Sequence, residues 1–87
     1  MKIYWHNDKK NVIGDKIKVL RKDKGLSQKA LAEKLQLMGF DFNDLTILRI
    51  ERGERFVADY ELGALADFFN VSSDYLLGYT ENPQRNC

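Results

Sequence analysis

Cations are the residues of this 87-residue chain whose number and placing point most directly to chemistry. Residues 1–34 carry ten Lys/Arg against four Asp/Glu, a balance of +6; residues 35–87 carry four Arg, no Lys and nine acids, a balance of −5. The near-neutral total of +1 hides this division. A polyanion would be drawn to the first part and repelled by much of the second. The plainer reading is that the lysines only solvate helix faces. Catalysis finds little to build on. The single histidine, His6, has no Cys or acid at metal-ligand spacing. There is no GxGxxG, Walker-type loop or nucleophile elbow. Ser27 and Ser72 are explained as helix caps, and Glu51 with Glu54 is an ordinary pair at a solvated helix end. No enzymatic activity, cofactor or metal is therefore expected. The one cysteine, Cys87, cannot close an internal disulfide, which suits a reducing cytoplasm. No apolar run approaches the roughly 20 residues a membrane helix needs, and the amino terminus lacks the pattern of a secretory signal.

The elements that would position these charges read as short helices. Residues 1–11 are a polar arm with one apolar cluster, Ile3, Tyr4 and Trp5, either loose or pinned to the domain or to a second copy. Ile13, Ile17 and Leu20 share one face of a first helix, with Asn11 able to accept from an orphan N–H at its start and Gly25 at its end. Its other face carries Lys16, Lys18, Lys22 and Lys24 with Asp15 and Asp23. Ser27 caps a second helix in which Leu31, Leu35 and Met38 form the apolar stripe, and Gly39 stops it with Phe40 folding back. Asn43 caps a third, from about Asp44 to Arg52, with Phe42 and Ile47 as a hydrophobic staple, Ile47 and Ile50 inward, and Gly53 as the stop. A fourth helix spans about Asp59 to Asn70 on the stripe Leu62, Leu65, Ala66 and Phe69. Ser72 caps a fifth carrying Tyr75, Leu76 and Leu77, closed by Gly78. Large apolar residues are usually buried, so Phe56 and Val57 are expected in the core. Five short helices without a strand pattern predict an all-α, compact five-helix domain over residues 12–78, between the arm 1–11 and a flexible tail 79–87 in which Pro83 continues no helix.

The ordered set Arg21, Gly25-Leu26-Ser27-Gln28, Leu31-Ala32, Thr46-Ile47-x-Arg49-Ile50-Glu51-Arg52-Gly53, Asn70-Val71-Ser72 and Asp74-Tyr75-Leu76-Leu77-Gly78 resembles the lambda-repressor-like helix-turn-helix family, the phage repressor and Cro class, over residues 12–78. The resemblance implies a transcriptional regulator that binds double-stranded DNA, usually as a homodimer. It implies that the third helix reads base edges through Asp44, Leu45, Leu48 and Arg49, and that Arg21 pairs with Glu51 to tie the first helix to the third. Physical reasons stand beside this. Gln28 opens the second helix, where its side chain and the terminal N–H groups, with Ser27 and Lys29 beside it, can grip a phosphate. Arg49 suits guanine O6/N7 or phosphate, Leu45 and Leu48 a thymine methyl, and Asp44 a cytosine amino group. Asn43, Arg52 and Arg55 flank the reader as further contacts, the two arginines towards phosphate. Small Ala32 permits close approach of two helices.

Two features depart from the family. The reader positions are poor in hydrogen-bond donors, and the connection from Leu35 to Thr46 is about five residues longer than the tight turn usual there. Extension of the second helix and burial of Phe40 and Phe42 would absorb that excess. The alternative function is a protein-interaction module of the same fold, antitoxin-like or anti-repressor, with weak or no base reading and a protein partner. Dimer contacts could come from Tyr75, Leu76, Leu77 and Tyr79, or from Tyr4 and Trp5 of the arm.

Overall fold

The computed structural model describes residues 9–84; the apolar cluster of the arm, His6 and Cys87 lie outside the described residues. The described chain forms five helices: α1 (Gly14–Asp23), α2 (Gln28–Leu37), α3 (Asp44–Glu51), α4 (Asp59–Phe69) and α5 (Ser73–Leu77). This is the all-α domain that the apolar periodicity and caps predict. Ser27 Oγ accepts from the Ala30 N–H, Asn43 Oδ1 from the Thr46 N–H and Ser72 Oγ from the Tyr75 N–H, each satisfying a first-turn donor. Asn70 ends α4 in the left-handed region at φ 56°, where glycine ends the others.

The core is made by the faces the stripes mark. Ile13 and Ile17 at α1, Leu31 and Leu35 on α2, Phe42, Ile47 and Ile50 at α3, and Leu65, Ala66, Phe69 and Leu76 from α4 and α5 are all buried in one cluster. Ala32 is buried too, where α2 lies against α3. Three expectations need correction. Met38 is exposed, because α2 stops at Leu37 and Met38 falls on its C-cap, past the buried stripe. Phe56 is 47% exposed, while Val57 beside it packs on the core. Leu76, expected among surface contacts, is buried.

The long connection between α2 and α3 is built as an anchored turn. Gly39, at φ 95°, lets the Gly39 and Phe40 N–H groups return to the carbonyls of Gln36 and Leu35, a Schellman closure. Phe42 is buried and Phe40 half-buried, their rings stacked at 6.4 Å, and Gln36 Nε2 donates to the Phe42 carbonyl. The added residues thus serve as a second attachment for the start of α3. Beyond α5, the Pro83 carbonyl accepts from the Ser72 N–H at 3.0 Å.

At the other end of α3 the backbone of α1 comes very close. A Cβ at Gly14 would stand 2.3 Å from the Ile50 carbonyl oxygen, so only glycine fits. Gly63, inside α4, has nothing within 4 Å of its Cβ position. Gly14→Ala therefore lowers stability by about 1–3 kcal/mol, overpacking outweighing helix propensity. Gly63→Ala raises stability by up to about 1 kcal/mol; urea denaturation midpoints of the two variants check both signs.

Candidate nucleic-acid interface

Three helices are joined by one buried carboxylate. Glu51 Oε2 accepts from Arg21 Nε at 2.6 Å, and Oε1 accepts from Arg21 Nη2 at 3.1 Å and from Gln28 Nε2 at 3.1 Å. Arg21 Nη1 donates to the Leu26 carbonyl at 2.8 Å, fixing the turn before α2. Arg21 is 8% exposed and Glu51 7%, so water does little to screen them. The hydrogen bond to Glu51 holds the Arg21 guanidinium above its ordinary pKa, so the arginine stays charged despite its burial.

With α3 held on the side of Ile47 and Ile50, its opposite side faces outward. Asp44, Leu45, Arg49 and Arg52 are exposed and Leu48 is half-exposed. These positions recur at helical spacing and share one face. Asp44 stands in the first turn, where its Oδ1 accepts from the Leu45 N–H and the positive end of the helix favours its charge. Lys29, Asn43 and Asp44 line one groove between α2 and α3, with Ala32, Glu33 and Gln36. Ser27 and Lys29 lie exposed at the start of α2, whose first N–H groups a helix leaves without intrahelical partners.

Other expected contact residues are engaged inside the fold. Gln28 uses its amide Nε2 on Glu51, so the carboxamide braces α2 to α3. Asn43 Oδ1 accepts from both the N–H and the hydroxyl of Thr46, which spends its acceptor on capping. Arg55 is turned inward: Nη1 and Nη2 donate to Glu61 Oε1 and Oε2 at 2.8 and 2.9 Å, and Nη1 also to the Phe56 carbonyl. Lys16, read as part of a solvated face, donates to the Tyr75 carbonyl at 2.8 Å and lies 4.4 Å from that ring's centre. Among the exposed arginines and lysines around α3, this leaves Lys29, Arg49 and Arg52 on the outside.

Two residues that sequence reasoning undervalued complete the scaffold. Asn11 Oδ1 accepts from the Gly14 N–H, as expected of a cap, but Nδ2 also donates to the Ile50 and Arg55 carbonyls. Glu61 takes both Arg55 bonds and the Ala58 N–H, locking the loop after α3 to the start of α4. A glutamate three residues into a helix was the readable half of that signal.

A helix braced across its inner side by a preceding helix, with an open outer side, defines a helix-turn-helix domain. The helix-turn-helix family model matches residues 17–76, and the chain belongs to that lambda-repressor-like, XRE-type family. The family is one of DNA-binding regulators. Searches of curated proteins and of solved structures return no match. Among the described residues, no helix is long and apolar enough to cross a membrane, and no cluster of three His, Cys, Asp or Glu could hold a metal ion.

Two measurements test this scaffold. Glu51→Ala strands a buried guanidinium and lowers stability by about 3–5 kcal/mol, whereas Arg21→Met combined with Glu51→Leu costs far less; chemical denaturation of both variants distinguishes them. Glu61 is held below the usual glutamate pKa by the Arg55 hydrogen bonds. Its stabilisation is therefore fully present above the unfolded glutamate value of about 4.3 and is lost as pH falls through the lower folded value. Glu61→Gln removes that part of the acid sensitivity, seen as a shallower fall of thermal midpoint with pH.

Proposed function

We propose that this protein is a sequence-specific regulator of transcription that lays α3 in the major groove of double-stranded DNA. The observation that carries the reading is the outward face of α3: Asp44, Leu45, Leu48, Arg49 and Arg52 stand clear of the core that grips its other side. Arg49 has the fork geometry for guanine O6/N7, and Leu45 and Leu48 suit thymine methyl groups. Lys29 and the first N–H groups of α2, with Ser27 and Gln28 setting their position, suit one phosphate strand, and Arg52 the other. Asn43 lies at the start of α3, where its Nδ2 can donate outward. Arg55 supports the reader from behind through Glu61. A module of this size buries only about 600–1,000 Å² on DNA, so tight specific binding calls for a homodimer on a two-fold site. Such work lies where the DNA is, inside the cell.

A second reading, a protein-binding module of the same fold, is favoured by one feature. Leu37 is 89% exposed, and Met38 and Leu45 are exposed as well. Salt separates the two readings. DNA affinity falls steeply with salt in proportion to the phosphates neutralised, while apolar protein contact barely responds.

Selection from a random duplex pool yields a palindromic site. Against that site, Arg49→Ala loses about 1–3 kcal/mol, or roughly 5–150-fold, with little loss on random duplex; Lys29→Ala weakens both alike. Equal losses for Arg49→Ala on both duplexes reduce Arg49 to a phosphate contact. No enriched sequence, with salt-insensitive binding to protein instead, overturns the DNA reading.

A further inference from the structure

An apolar groove opens where the start of α1, the loop after α3 and the end of α5 meet. Its walls are Val12, Phe56, Leu62 and Leu77. Val12 is 41% exposed and Phe56 47%, while Leu62 and Leu77 are half-buried beneath them. Lys9 and Lys10 form the rim, and Lys10 Nζ lies 5.6 Å from the centre of the Phe56 ring. Large apolar side chains gathered in one concave place mark a surface shaped for an apolar occupant.

We propose that Ile3, Tyr4 and Trp5 of the same chain are that occupant. The described chain starts at Lys9, which itself lines the groove. It is fastened there: the Lys10 N–H donates to the Gly53 carbonyl at 2.8 Å, and Asn11 Nδ2 donates to the Ile50 and Arg55 carbonyls. Trp5 lies four peptide steps before Lys9, a reach of at most about 14 Å, and Ile3 six steps, about 20 Å. The three side chains are thus confined to the neighbourhood of the groove at high effective concentration. A second copy or another protein would have to give up translational and rotational freedom to fill the same place. The residue types fit as well. Tyrosine and tryptophan bury a ring while keeping one polar atom wet, which a half-open groove with a lysine rim allows. The residues between, His6, Asn7 and Asp8, are polar and suit a solvated strap.

Trp5 is the only tryptophan, so tryptophan emission, excited on the red edge where the four tyrosines do not absorb, reports on this segment alone. The expected result is an emission blue-shifted from that of indole in water and weakly quenched by iodide, both unchanged on dilution. Phe56→Ser and Val12→Asp each shift the emission to the red and strengthen quenching, while far-UV circular dichroism and cooperative melting persist. A water-like emission in the unaltered protein overturns the proposal. So does a blue shift that neither substitution moves, which puts the segment elsewhere. A blue shift that fades on dilution, in step with dimer dissociation in sedimentation, assigns the groove to the arm of a second copy and also overturns it.

Discussion

Burying a carboxylate costs several kcal/mol of hydration, and the molecule meets that cost at Glu51 by aiming three donors at it. Two come from Arg21 on α1 and one from Gln28 on α2, so the acid on α3 is satisfied only when all three helices keep their relative places. Apolar packing of Ile47 and Ile50 presses α3 against the core but is non-directional. Charged hydrogen bonds of fixed geometry are what set its rotation and its distance from α2. Leu45, Leu48 and Arg49 point outward as a consequence, since Glu51 on the same helix points in.

The C-terminal end of α3 is held by a second set of contacts of a different kind. Carbonyls there accept from side chains and backbone outside the helix: Ile50 from Asn11, Gly53 from Lys10, and Arg49 from the Glu54 N–H. Gly14 lies against the same turn, near enough that a methyl group would displace it. The N-terminal end is fixed by Asn43 and by the Phe40–Phe42 pair. A short helix of eight residues has little stability of its own in water. Anchoring at both ends and on one side turns it into a rigid projection, as the base-reading role proposed for it requires, because contacts misplaced by an ångström lose their hydrogen bonds.

Legibility divided along a clear physical line. Ser27, Asn43 and Ser72 cap as expected, and the helices stop where Gly25, Gly39, Gly53, Asn70 and Gly78 stand, because caps and stops act within four residues of chain. The Arg21–Glu51 pair, 30 residues apart, was implied by family resemblance alone and is present. Phe56 was assigned to the core on composition and stands partly in solvent, because the loop gives Val57 rather than Phe56 the inward direction. Arg55 was expected to meet phosphate and meets Glu61.

From the sequence alone came the all-α class, the order of five helices, the buried faces and the division of charge. All of these follow from residue type and spacing along the chain. What only the tertiary structure decided is which partner each long polar side chain takes. An arginine fork fits a carboxylate as well as a phosphate, and an amide serves a neighbouring acid as well as a ligand. Local sequence leaves that choice open. Packing brings Glu61 to Arg55 and Glu51 to Gln28, and leaves Arg49 facing outward.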